Sequence, residues 1–239
     1  MFIKSTKVDK NLTMKFLYKL KSIDLEYCSS GNNVKVLNNI NFEIKKNERI
    51  AIIGESGSGK TSLLMLLSGL EKPTRGSIIF CNNNFSKIKD EQIIELRKKE
   101  IGLIFQQFYL IPNYTALENV MFPMQINQIS NERVKAISLL SDLGLKNRIN
   151  NLPSELSGGE QQRVAIARAI SSKPKIILAD EPTGNLDSYN TDLVSNLLLD
   201  YSKKKRTSLV LVTHNQRLAK KCERVVKLTD GSIDSENDK

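Results

Sequence analysis

Three short apolar runs, at residues 50–53, 176–179 and 209–212, are continuous rather than alternating. A strand that shows one face to water alternates apolar and polar side chains, whereas a strand covered on both faces does not. The three runs therefore predict a largely parallel, buried central sheet. Ahead of them, residues 23–27, 34–37 and 41–44 read as short strands, divided by polar turns at Gly31-Asn32-Asn33 and Lys46-Asn47-Glu48, which predicts an antiparallel N-terminal portion. Pro73 and Gly76 punctuate the chain before another short strand at 77–80. From about residue 90 to 170 the apolar period becomes helical. Thr115-Ala116-Leu117-Glu118 is a capping box, and Val134, Ile137, Leu140 and Leu143 are expected to share one buried face up to Gly144. Leu193, Val194, Leu197, Leu198 and Tyr201 predict one more amphipathic helix, and no internal repeat is present.

Between the first buried run and a helix-like run at 62–70 lies Gly54-Glu55-Ser56-Gly57-Ser58-Gly59-Lys60-Thr61, followed by Ser62. The spacing is that of a phosphate-binding loop, and strand, glycine loop and helix is the context such a loop needs. Its glycines let backbone N–H groups face an anion. Lys60 reaches the outer phosphates, the Thr61 hydroxyl is a Mg²⁺ ligand, and the helix start adds partial positive charge.

The second buried run ends in Asp180-Glu181-Pro182, where an open α/β sheet places ligand-binding residues. Asp180 is positioned to hold Mg²⁺ opposite Thr61, and Glu181 to orient and deprotonate a water attacking the terminal phosphate. His214, the one histidine of the chain, follows the third buried run, so parallel strands bring it to the same end of the sheet as Asp180. Gln106, after residues 102–105, stands where the sheet gives way to the helical insertion and can sense the nucleotide. Gln107 beside it is a rival, and a plain polar surface position fits equally well.

Leu156-Ser157-Gly158-Gly159-Glu160-Gln161-Gln162-Arg163 begins a further helix with a capping box. Two glycines in a first helical turn cost roughly 1 kcal/mol each by propensity, which points to a second anion site at uncovered N–H groups. If a single nucleotide is bound at the first helix start, the second serves the nucleotide of another copy, which predicts a head-to-tail pair holding two ATP.

The chain has 239 residues, 40% hydrophobic, enough for a substantial core. No apolar run approaches the roughly 20 residues that cross a bilayer, so a membrane role requires a partner. Cys28, Cys81 and Cys222 form no C-x-x-C pair and read as free thiols of a reducing compartment. The net charge of +10 is scattered rather than clustered, and Lys203 to Arg206 fall at a predicted helix end, where cations suit the dipole. Nucleic acid is therefore not the expected partner, while weak attraction to anionic headgroups is compatible. The first 20 residues carry five lysines against one aspartate without an apolar core, so no secretory signal is expected; Met14 is an alternative start.

Together these residues resemble the nucleotide-binding subunit of ABC transporters over about residues 20–233. The motifs fall in that family's order: Tyr27, residues 54–61, Gln106, residues 156–162, Asp180 and Glu181, Asn185-Leu186-Asp187, and His214. The resemblance implies a P-loop NTPase (RecA-like) α/β core with a mainly parallel sheet, an N-terminal antiparallel β portion and a helical insertion. Residues 21–235 would form this domain, with the helical subdomain at about 90–170 and residues 1–20 a basic extension. It implies that Tyr27 stacks on adenine, that Mg²⁺ meets Thr61, Gln106 and Asp180, and that Ser157, Gly158 and Gly159 close on the ATP held by a second copy. It also implies that integral membrane permease subunits dock near residues 106–112, lined by Tyr109, Leu110 and Pro112, holding the subunit to the cytoplasmic face of the bacterial inner membrane.

Within the family, residues 117–120, 153–163 and 178–187 look like the branch serving lipoprotein release, macrolide or peptide export and cell division. Residues 213–219 look most like the lipoprotein-releasing ATPases. Soluble family members acting on nucleic acid fit less well. About 50 residues separate Gln106 from Leu156, too few for a long coiled-coil insertion, and the cassette is single.

Overall fold

In a computed structural model, residues 16–29 and 32–238 are described. Two sheets share the structure. The first is antiparallel: β1 (Phe16–Ser29) pairs with β2 (Asn32–Lys45) and with β4 (Arg75–Phe80), which continues into the two-residue β5 (Asn83–Asn84). The second has six strands in the order β10-β9-β3-β8-β7-β6, made of β3 (Arg49–Ile53), β6 (Ile101–Ile104), β7 (Ile176–Asp180), β8 (Ser208–Val212), β9 (Arg224–Thr229) and β10 (Ser232–Asp238). All its pairings are parallel except the closing β9–β10 hairpin. The three continuous apolar runs are β3, β8 and β7, side by side. Every residue of β8 is buried, as strands covered on both faces require.

One face of this sheet packs on the antiparallel sheet and on α1 (Lys60–Ser68), sharing Ile50, Ile52, Leu63, Leu67, Val210 and Leu228. The other packs on α3 (Ala116–Ile126), α4 (Glu132–Asp142), α5 (Gly158–Ile170) and α6 (Ser188–Lys205), through Ala51, Ile177, Leu209, Val120, Ile166 and Leu198. The short helix α2 (Asp90–Glu100) leads directly into β6, and α7 (Gln216–Ala219) follows β8. These two apolar layers fix the sheet, and with it the ends of its strands, as the rigid platform for the site.

The boundaries differ from expectation in four places. β1 begins at Phe16, because Leu17, Tyr18 and Leu20 are buried within the antiparallel sheet and the core it shares with α1, so residues 16–20 belong to the domain. Residues 1–15 lie outside the described residues, as does Gly31 of the expected turn. The segments 34–37 and 41–44 are one strand, irregular near Asn39 (φ 48°). The helical stretch from 90 to 170 is interrupted by β6, which pairs with β7 inside the central sheet. Val134 is 70% exposed while Leu140 is fully buried, so the buried face of α4 runs through Ala136, Leu140 and Leu143 instead.

Candidate nucleotide site

The C-terminal ends of β3, β7 and β8 open on one cavity of about 590 Å³. It is lined by Gly54, Ser56, Gly57, Gly59, Lys60, Thr61 and Ser62 of the glycine loop. Gln106, Asp180, Glu181 and His214 face it from the neighbouring strand ends. Residues more than 150 positions apart in sequence are thus brought together by parallel strand alignment alone.

The loop is held from behind. A Cβ on Gly54 would sit 2.3 Å from the carbonyl oxygen of Leu228 on β9. Gly59 has φ +97° and a Cβ there would sit 2.9 Å from the carbonyl oxygen of Val36, so no larger residue fits either place. The Gly231 N–H of the β9–β10 hairpin donates to the carbonyl of Ser58 at 3.1 Å. Ser58 is itself buried, and neither it nor Glu55 lines the cavity: their backbone shapes the loop. Lys60 Nζ curls back to donate to the carbonyls of Gly54 (3.0 Å) and Glu55 (2.6 Å). An ammonium held by loop carbonyls at the mouth of an N–H-rich turn suits the phosphate groups of a nucleotide.

The Thr61 hydroxyl donates to Asp180 Oδ2 at 2.9 Å. Burial pushes the Asp180 carboxyl above the ordinary aspartate value near 3.8; the Glu181 charge adds to this, while the Thr61 hydrogen bond and Lys60 oppose it. Two hard oxygen donors side by side fit Mg²⁺, which takes one or two protein oxygens and completes its shell with phosphate and water. Among the described residues no group of three or more His, Cys, Asp or Glu forms a metal cage.

A carboxyl whose pKa is raised on folding stabilises the fold while protonated and loses that contribution as pH rises through its folded value. Asp180→Asn is therefore expected to raise the melting midpoint of the nucleotide-free protein at neutral pH. The difference from wild type should vanish as pH falls towards 3.8. The same variant should lose the extra thermal shift that Mg²⁺ adds to ATP, and melting curves across pH with and without Mg²⁺ read both effects.

Glu181 sits in left-handed backbone (φ 45°) with its N–H donating to the carbonyl of Val212 at 3.0 Å. That conformation costs an ordinary residue about 1–2 kcal/mol, a strain retained where geometry matters. His214 Nδ1–H donates to Glu181 Oε2 at 2.9 Å, while the His214 ring is largely exposed and Glu181 is not. Gln106 Nε2 donates to Asn185 Oδ1 (3.0 Å), and Asn185 Nδ2 donates back to the carbonyl of Gln106 (3.1 Å). This reciprocal clamp selects Gln106 over Gln107 as the residue facing the cavity.

Tyr27 does not line the cavity; it is 40% exposed, with its hydroxyl 3.5 Å from Glu71 Oε2. Ser157, Gly158 and Gly159 do not line it either. Ser157 accepts from Glu160 N at 3.3 Å and its N–H donates to Glu160 Oε2 at 2.8 Å, as the capping pattern requires. A Cβ on Gly159 would fall 2.2 Å from Asn190 Oδ1, so packing against α6 explains this glycine, whereas a Cβ on Gly158 would meet nothing closer than 3.7 Å.

Two features escaped the sequence. Val36 and Val212 supply apolar wall to the cavity. Arg168, desolvated between α5 and the loop after Gln106, donates to the carbonyls of Phe108 (2.9 Å) and Tyr109. Neither an apolar strand residue nor an arginine late in a helix carries a motif.

The ABC transporter family pattern matches residues 37–184, and the chain belongs to that family as one of its ATP-hydrolysing cassettes. Among its relatives, the lipoprotein-releasing system ATP-binding protein LolD of Legionella pneumophila (strain Lens) is 46% identical over 93% of this chain and 96% of that protein. The LolD of Rickettsia bellii is 45% identical over 90% and 96%. The dimeric post-hydrolysis structure of the ATP-binding cassette MJ0796, bound to ADP and Pi, is 37% identical and superposes with a TM-score of 0.87 over 92% of this chain and 98% of that one.

Proposed function

We propose that this chain is the ATPase subunit of a transporter that releases lipoproteins from the bacterial inner membrane, acting as a head-to-tail pair around two ATP. The observation that carries the pairing is the division of the motifs. Lys60, Thr61, Gln106, Asp180, Glu181 and His214 gather at one cavity, while Ser157 to Gly159 of the same chain stand apart from it. The names of the relatives support the cargo, and the dimeric cassette of similar fold supports the pair.

In this reading the glycine loop, Lys60 and Ser62 bind the phosphates and Tyr27 covers the adenine. Thr61, Asp180 and Gln106 hold Mg²⁺, which supplies charge neutralisation on the phosphate oxygens. Glu181 takes a proton from the attacking water, and His214 keeps the carboxylate aimed. The Ser157 hydroxyl and the Gly158 N–H of the second copy complete the cavity. The surface after Gln106, where Arg168 holds Phe108 and Tyr109, takes a permease segment, placing the subunit peripherally on the cytoplasmic face. Among the described residues no helix is long and apolar enough to cross a membrane, so the spanning part belongs to the partner.

Affinity purification of the native complex from detergent-solubilised membranes tests this. An integral membrane subunit with a large periplasmic domain is expected to copurify and to stimulate ATP hydrolysis. Recovery of the chain with no membrane subunit, or tight salt-sensitive DNA or RNA binding, would overturn it.

A further inference from the structure

At the opposite ends of the strands from the nucleotide cavity, just before β7 and β8, a second concavity of about 830 Å³ lies between α4 and the C-terminal turns of α5 and α6. Its floor is apolar, formed by Met124, Ile129, Leu139, Ile170 and Tyr201. Its rim carries Lys135, Lys173, Lys175, Lys205 and Arg206 against one carboxylate, Asp142. Lys175 is paired with Glu100 at 3.0 Å and Lys135 donates to the carbonyl of Ser130. Lys173, Lys205 and Arg206 make no ion pair among the described residues.

The carbonyls ending α5 and α6 favour cations nearby, and Lys205 shares the last turn of α6; Arg168, Lys203 and Lys204 supply charge in those turns without lining the concavity, and Lys173 lies beyond the end of α5. Dipole compensation also gives no reason for an apolar floor. Val134, left off the buried face of α4, adds an exposed apolar wall. An apolar hollow of this size edged by a few convergent charges is the form of a small-molecule site.

We propose that this hollow binds a small anionic amphiphile, an apolar chain ending in one phosphate or carboxylate. The chain lies on Val134, Leu139 and Tyr201, and the anion meets Lys173, Lys205 and Arg206. The site is separate from the nucleotide cavity, so both fill at once.

Octyl phosphate below its micellar concentration, titrated calorimetrically into the full chain, tests the proposal. One site per chain is expected, with a Kd on the order of 0.1 mM for a ligand of this size. Lys173 and Arg206 both have left-handed backbone (φ 54° and 52°), which asparagine tolerates, so Lys173→Asn with Arg206→Asn keeps the fold. The pair should weaken binding about tenfold or more by removing charged hydrogen bonds. Lys205→Gln, an exposed single change, gives an independent loss. Ser138→Trp, which fills the hollow from α4, should abolish the heat of binding while leaving basal ATP hydrolysis intact. Saturating ADP should not displace the ligand. Unchanged affinity in these variants, equal affinity for octyl glucoside, or displacement by ADP would overturn the site.

Discussion

Glu181→Gln is expected to lower kcat for ATP hydrolysis about 10²–10⁴-fold, the range a positioned general base contributes, with nucleotide affinity nearly unchanged. The substitution keeps the side-chain length and an oxygen to accept from His214 Nδ1–H, so the local geometry, including the 2.9 Å contact, has no reason to collapse. What disappears is the basic oxygen. ATP then binds and is not consumed, and the closed pair accumulates. Light scattering with ATP and Mg²⁺ should find a stable dimer that wild type forms only transiently. Near-normal turnover would shift the role of base to another group at the strand ends, His214 being the next one along the cavity wall.

The site was legible in the sequence where chemistry demands a fixed spacing along a single turn. The glycine loop and the acidic pair are of that kind, and the uninterrupted apolar strands say at which end of the sheet they meet; the capping box that starts α5 was equally legible as local structure. Less legible was everything set by contact between distant segments. Gln106 and Gln107 are equal as letters; only Asn185, brought close by the turn after β7, decides between them. Gly159 reads as a backbone N–H device, and Asn190, 2.2 Å from where a Cβ would sit, adds a packing reason for glycine that no local pattern shows. Val134 keeps helical register with Ile137 and Leu140 yet faces outward, because α4 rotates to bury Ala136, a residue too small to weigh in an apolar count. Asn119, fully buried, donates to the carbonyls of Ile111, Tyr114 and Thr115 and accepts from Ile111 N. It organises the loop that leads into α3, a role that the resemblance at residues 117–120 does not reveal.

Gly158→Glu separates the shared site from ordinary stability more cleanly than any change at Ser157. Replacing Ser157 also removes a helix cap worth about 1 kcal/mol, so a loss of activity there has two explanations. At Gly158 an added Cβ meets only ordinary contacts, 3.7 Å from Phe108 and 3.9 Å from Leu186. A carboxylate in the first turn of α5 interacts favourably with the helix dipole, by about 0.3–1 kcal/mol, so the variant monomer should melt no lower than wild type. Across a head-to-tail pair, however, that same carboxylate faces the terminal phosphate held by the partner and displaces the donors meant for it. Loss of one such donor set costs about 10²–10³ in kcat. The expected result is an intact, nucleotide-binding monomer that neither pairs nor hydrolyses, even with Glu181 in place. Wild-type turnover per chain should fall on dilution, as a site shared across the proposed pair requires. Turnover that survives Gly158→Glu and is independent of chain concentration would mean that one chain completes its own site, and the head-to-tail pair would have to be given up.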